Sequence, residues 1–242
     1  MLPRKSKSAP PGRITLSELR RLALFSGMTE DHFATLTRGA YVQNFPPQID
    51  LIGEGELSDF LHIVLSGAVE LYCSWNERET SMTTVRPVST FILAATVRDA
   101  PYLMSARTLE KSRIALIPSQ DVRAMFDLDG AFARAIVEEL AQRYRAVIKS
   151  TKELKLRSSR LRLANYLIRE QRRAGGGPEY RLPFDKKRLA SLLGMTPENL
   201  SRAFRSLQDH GVQTDGGQIT IRDQGELERF AKPHQLIDDQ AN

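Results

Sequence analysis

The chain has one cysteine, one tryptophan and four histidines in 242 residues. The lone thiol, Cys73, excludes an internal disulfide framework, a cysteine-based zinc site and a four-cysteine iron–sulfur cluster. His32, His62, His210 and His234 fall in unrelated segments and form no metal constellation in the sequence. No apolar run approaches the roughly 18–20 residues of a membrane span, so no membrane partner is expected. The start, Met-Leu-Pro-Arg-Lys-Ser-Lys-Ser, is basic with no apolar stretch behind it. A secretory signal is therefore not expected, and a reducing cytoplasm is the expected compartment. Catalytic signatures are missing as well. There is no Walker loop, no dinucleotide glycine turn, no Ser/His/Asp spacing and no paired carboxylates in a fitting context. Gly175-Gly176-Gly177 follows a helical run, where a phosphate-binding loop would precede one. The chain reads as a non-enzyme.

What is present is a soluble-protein composition with a lopsided charge. The chain carries 35 Lys+Arg against 29 Asp+Glu, a net charge of +6. Between Gln142 and His210 there are 17 Lys/Arg and 6 Asp/Glu, a local balance of +11, so the rest is net acidic. Such a local excess suits a polyanion partner, though a solvated helical surface explains it equally well.

The pattern along the chain predicts an α+β fold. Residues 1–13, with Pro3, Pro10 and Pro11 among Ser and Lys, read as a disordered basic tail. Thr15 and Glu18 have capping-box spacing for a short helix running to about Leu24. A second helix fits Thr29 to Arg38, with Phe33 and Leu36 facing inward. From Tyr41 to Pro118 short β-rich runs alternate with turn residues: Ile49–Ile52, Leu61–Leu65, Val69–Trp75, Met82–Val85, Phe91–Leu93, Met104–Thr108 and Arg113–Ile117. That spacing indicates a sandwich or barrel, and a sensor domain over 14–128. Beyond it Phe132, Ile136, Leu140, Tyr144, Val147, Thr151 and Leu154 recur every three or four residues, with Asp129 as the expected N-cap. The narrow stripe on so long a helix predicts a dimerisation seam; packing on the β domain is the competing explanation. The helix and a hinge near Leu156-Arg157-Ser158 occupy 129–157, and 158–242 form the last domain with its tail.

Within that last domain a helix is expected over Ser158 to Arg173, and then Asp185 to Ile221 carries the function. Asp185 caps a short helix through Leu193, Gly194 takes the turn, Thr196 caps the next helix and Pro197 stands at its first position. Leu200, Ala203, Phe204 and Leu207 face a core, and Val212 to Ile221 form a two-stranded wing turning at Asp215-Gly216-Gly217. Two helices about a glycine turn followed by a hairpin make a winged helix-turn-helix. Glu198, Ser201 and Arg202 are the expected base readers, because Arg pairs with guanine and Glu accepts from the cytosine amino group. Lys186, Lys187, Thr196, Asn199 and Arg205 are the expected backbone and flanking contacts.

These residues carry a resemblance. Gly194-Met195-Thr196-Pro197-Glu198-Asn199-Leu200-Ser201-Arg202-Ala203-Phe204 is similar to the helix-turn-helix of the CRP/FNR family of bacterial transcription regulators. Leu51-Ile52-Gly53-Glu54-Gly55-Glu56 and Leu61 to Leu71 resemble its cyclic-nucleotide-binding-like β-roll, and Arg162 to Leu167 the first helix of its DNA domain. The resemblance implies a homodimer on an inverted repeat, with duplex DNA, a second copy of the chain and RNA polymerase as partners. Glu198, Ser201 and Arg202 match the FNR-type recognition set, which implies TTGA-like half-sites; Pro197 departs from it. The stretch Arg86–Ala95 with Tyr102–Leu109 is similar to the FtrB-like branch, which would imply iron-transport genes as targets.

The roll departs from the cyclic-AMP pattern of the family. The glycine and glutamate of the phosphate cassette fall on Leu93 and Ala94, its Arg-Ser pair near Ala100-Pro101, and the adenine-contacting pair near Val147 and Ile148. An apolar pocket would leave a buried phosphate unpaired, which argues against cyclic AMP. Leu103, Met104 and Arg107 complete the expected effector pocket, with Arg107 or Arg98 as a substitute cation. Haem stays open through His62 and Cys73, set on adjacent expected strands. Two other readings remain beside the regulator: a ligand-binding module acting through protein partners, and a haem-based gas sensor of the same family.

Overall fold

The computed structural model describes residues 16–76, 78–182 and 185–238. They fall into two compact units, one up to Ala141 and one from Gln142 onward.

The first unit opens with three short helices: α1 (Leu16–Leu19), α2 (Ala23–Ser26) and α3 (Glu30–Thr37). The first expected helix is thus split in two, and its expected cap Thr15 lies outside the described residues. Thr29 caps α3, accepting from the His32 N–H, and Phe33 and Leu36 are buried as expected. Next come β1 (Tyr41–Phe45), β2 (Asp50–Ile52), β3 (Phe60–Ser66), β4 (Val69–Trp75), β5 (Arg78–Val85) and β6 (Ser89–Phe91). A helix, α4 (Leu93–Arg98), separates these from β7 (Ser105–Thr108) and β8 (Ser112–Pro118), after which α5 (Ser119–Leu128) follows. The strands form two four-stranded antiparallel sheets, ordered β1-β8-β3-β6 and β2-β7-β4-β5.

Each strand places alternate residues on opposite faces. Val64 of β3, Val69 and Leu71 of β4, Ala106 of β7 and Ile114 and Leu116 of β8 fill the space between the sheets. Leu61 and Ile63, on the other face of β3, pack with Ala115 and Ile117 against α2, α3 and the start of the long helix α6 (Gly130–Leu156). The first sheet is therefore covered on both faces, which explains why β3 is buried along almost its whole length.

Asp129 begins α6 as expected: its Oδ1 accepts from the N–H groups of Ala131 and Phe132 at 2.9 Å each, and His32 Nδ1 lies 2.7 Å from Oδ2. These backbone bonds, with the His32 contact, hold the Asp129 carboxyl below its ordinary range. The expected seam needs correction here. Phe132 and Ile136 are fully buried in the first unit's core, Phe132 stacking on Phe25, and Leu140 packs partly buried against the same cluster. These three belong to the chain's own β domain because α2 and α3 supply the apolar surface that covers them. The stripe is exposed only beyond Ala141: Tyr144 is 67% exposed and Val147 61%, with Thr151 exposed and Leu154 at 48%.

The second unit holds the end of α6 and then α7 (Ser159–Arg173), capped by Ser158. β9 (Glu179–Arg181), α8 (Lys186–Leu192), α9 (Pro197–Leu207), a 3₁₀ turn, β10 (Val212–Asp215) and β11 (Gln218–Ile221) follow. The chain then runs through α10 (Gln224–Ala231) and α11 (Gln235–Asp238). The wing is three-stranded, ordered β10-β11-β9, with β9 added to the expected hairpin. One core unites Leu163 and Leu167 of α7, Leu189 of α8, Leu200 and Leu207 of α9, Ile219 of the wing and Leu227 of α10.

Candidate nucleic-acid interface and sensor roll

The recognition segment is built by local chemistry. Asp185 accepts from the Arg188 N–H at 2.8 Å and starts α8. The helix ends in a Schellman-type turn, with Met195 N–H donating to Ala190 O at 3.0 Å and Gly194 N–H to Ser191 O at 2.9 Å. Gly194 stands at φ +60°, a conformation that costs a side-chain-bearing residue about 1–2 kcal/mol. Thr196 then accepts from the Asn199 N–H at 3.2 Å, and Pro197 takes the first helical position, where no N–H is needed.

Along α9 the buried residues Leu200, Ala203, Phe204 and Leu207 follow i, i+3, i+4, i+7 spacing and so share one face. Burying each of the larger three is worth about 1.5–3 kcal/mol, which anchors the helix. The opposite face carries Glu198, Asn199, Ser201, Arg202 and Arg205, all exposed. The Thr196 hydroxyl, the helix's own backbone and Arg202 hold the Glu198 carboxyl below its ordinary range, so it is an ionised acceptor at neutral pH. Arg202 Nη2 donates to Asn199 Oδ1 at 2.6 Å, which aims the guanidinium along the same face. Ser201 Oγ donates to Pro197 O at 2.9 Å. Lys186 and Lys187 are exposed on α8, with Lys186 Nζ 6.0 Å from the Phe204 ring centroid. All eight expected DNA contacts are thus exposed on two consecutive helices.

Within the first unit the expected effector residues do not converge in the same way. Leu93 is buried in the cluster beneath the N-terminal helices, while Met104 packs against the layer between the sheets. Ala94 and Leu103 are exposed, Leu103 at 81%. Val147 and Ile148 are exposed on α6. His62 and Cys73 lie in different sheets and not on paired strands, because β3 joins β8 and β6 whereas β4 joins β7 and β5. The His62 ring faces Phe91 at 5.0 Å between centroids. Burial lowers its pKa to about 4, against a smaller opposing effect of the Phe60 backbone. Cys73 is half-buried, its Sγ 3.6 Å from Leu103 O, and burial together with Glu54 pushes its thiol up. The pairing on which haem ligation depended is therefore not met.

Arg107 is committed elsewhere. It donates to Glu70 Oε2 at 3.0 Å and Glu79 Oε2 at 3.3 Å, and its guanidinium lies over the Tyr72 ring at 4.5 Å. Among the described residues no cluster of three or more His, Cys, Asp or Glu could hold a metal ion. No helix of the described residues is long and apolar enough to cross a membrane.

One arrangement escaped the sequence. Arg162 of α7 donates through Nε to Leu193 O at 2.9 Å, through Nη2 to Gly194 O at 3.2 Å and through Nη1 to Arg157 O at 2.8 Å. It ties the junction between α6 and α7 to the turn before α9. Its place at the start of α7 is the only hint of this in the sequence.

A jelly-roll-like β domain with a long helix, followed by a winged helix-turn-helix with an exposed polar recognition face, defines a DNA-binding regulator. Comparison with known proteins agrees. Residues 161–230 match the model of the Crp-like helix-turn-helix domain, and residues 42–129 that of the cyclic nucleotide-binding domain. The CRP-like cAMP-activated global transcriptional regulator of Mycobacterium tuberculosis is 24% identical over 220 residues, spanning 88% of this chain and 98% of that protein. The transcriptional activator FnrA of Stutzerimonas stutzeri is 22% identical over 178 residues, 72% of this chain and 73% of that protein. In fold, FixK2 from Bradyrhizobium japonicum superposes with a TM-score of 0.67 at 21% identity, covering 78% of this chain and 96% of that one. The chain belongs to the CRP/FNR family of transcription regulators.

Proposed function

We propose that the protein acts as a homodimer that binds an inverted repeat of TTGA-type half-sites, with an effector other than cyclic AMP or none. The observation that carries the DNA reading is the α9 face, where an ionised Glu198 and the Asn199-steered Arg202 stand exposed beside Ser201. Arg202 and Glu198 would read the G·C pair, Ser201 a neighbouring base, and Lys186, Lys187, Thr196, Asn199 and Arg205 the backbone and flanks. The dimer would form through the exposed part of the α6 stripe, Tyr144, Val147, Thr151 and Leu154. RNA polymerase is the further partner expected of a regulator of this kind.

The M. tuberculosis relative is named for activation by cAMP. In this chain the cassette positions are Leu93 and Ala94, and Arg107 already serves two carboxylates. A buried cyclic phosphate would lack its cation, and that favours a different effector.

The test is Arg202→Ala against duplexes with each half-site base pair changed in turn. A base-reading arginine costs about 1–3 kcal/mol on the cognate repeat and relaxes specificity at one position. An equal loss on every duplex would make Arg202 a phosphate contact and refute the base assignment.

A further inference from the structure

Four charged side chains from distant parts of the second unit meet beside the hinge. Arg157 donates through Nη1 to Asp238 Oδ1 at 2.7 Å and through Nη2 to Oδ2 at 2.5 Å, a bidentate pair. Arg169 of α7 reaches the same Oδ1 at 3.1 Å and both oxygens of Glu153, on α6, at 3.2 and 3.4 Å. Arg157 Nη1 also lies 3.5 Å from Glu153 Oε1. The Arg157 and Asp238 side chains are each 7% exposed. Two cations and two carboxylates balance, and the His234 N–H donates to Asp238 Oδ2 at 2.7 Å. A pair so buried is costly to leave half-made.

This quartet lies at one end of a chain of contacts. Arg157 O accepts from Arg162, and Arg162 holds the carbonyls of Leu193 and Gly194, in the turn that leads through Met195 to the Thr196 cap. Leu154 of α6 meets the same turn: a Cβ built on Gly194 would stand 2.7 Å from Leu154 Cδ2.

We infer that Asp238, in α11, is a positioning residue for the recognition helix: its carboxylate latches Arg157 and so fixes the bend between the end of α6 and α7. The inference rests on the DNA-binding reading only for its consequence. The latch itself can be read without DNA.

The test is hydrogen exchange of the full-length protein, free of duplex, comparing wild type with Asp238→Asn, which keeps the shape and removes the charge. Amides over 157–162 should exchange at least tenfold faster, while those of β10, β11 and the buried face of α9 keep their rates. Adding Arg157→Gln to Asp238→Asn should add little, because the two act as one unit. Asp238→Asn should also lower discrimination between an inverted TTGA repeat and a scrambled duplex by about tenfold. Unchanged hinge exchange would overturn the latch. A uniform rise across the unit would overturn it too, since Asp238 would then serve only general stability. A loosened hinge with undiminished discrimination, in a protein whose wild type does discriminate, would overturn the positioning role. A wild type that fails to discriminate would point to a required effector or a different half-site and leave the exchange result to decide the latch.

Discussion

Glu70 and Arg107 face each other across β4 and β7 and share a hydrogen bond of 3.0 Å. They alternate with Val69, Leu71 and Ala106, whose side chains fill the layer between the sheets. Strand periodicity therefore turns this ion pair away from that layer. Arg107, the cation expected to stand in for the missing phosphate ligand, is held by two carboxylates and a tyrosine ring.

Cyclic AMP should therefore leave the melting temperature unchanged. A ligand present at a hundred times its Kd would add about 2.7 kcal/mol to stability, an effect thermal melting reads easily. A saturable upward shift with millimolar cyclic AMP would contradict the proposed choice of effector.

His62 makes stability depend on pH. The unfolded chain takes up this proton near pH 6.5, whereas the folded one does so only near pH 4. Stability is intact above that window and falls as pH drops through it, by about 3 kcal/mol in all. His62→Phe, which keeps an aromatic ring against Phe91, should flatten this part of the acid limb in urea titrations. An identical acid limb in wild type and variant would show that other groups set it.

Gly194→Ala should destabilise the second unit by about 1–2 kcal/mol, through the left-handed backbone at that position. The Leu154 side chain that meets the new Cβ is flexible and can move aside. Thermal unfolding should detect the loss, and binding of the repeat should weaken because the turn sets the start of α9. An unchanged melting temperature would mean that the turn relaxes freely.

Tyr144→Glu with Val147→Glu should produce monomers, because both would put charge on the exposed part of the α6 stripe. The cores beneath Phe132 and Ile136 should stay intact, with far-ultraviolet dichroism preserved. A variant that still sediments as a dimer would place the interface elsewhere.

The recognition segment was legible because its signals are local. Asp185, Gly194, Thr196 and Pro197 act within three or four residues of themselves, and each sits where its chemistry suggested. The α6 stripe was only half legible. Spacing shows that Phe132, Ile136 and Tyr144 share a helix face, but not which surface covers each one. Phe25, which stacks on Phe132, is more than a hundred positions earlier. Phe91-Ile92-Leu93 reads as a strand on composition alone, yet Ile92 turns into the left-handed region at φ 54° and α4 begins there. His62 and Cys73 lie on the consecutive strands β3 and β4, but these two belong to different sheets. Asp238 and Arg157 lie 81 residues apart, and no local pattern links them.

The most direct measurement titrates the purified protein, with nothing added, against a duplex carrying an inverted TTGA repeat and against a scrambled one, at one fixed salt concentration. Salt must be fixed because non-specific affinity depends on it steeply. Discrimination of about a thousandfold or more is expected, the usual range for specific DNA binders. Equal affinity for the two duplexes, persisting over a range of salt, would contradict binding without an effector, and a selection from random duplexes that returned no TTGA repeat would contradict the half-site.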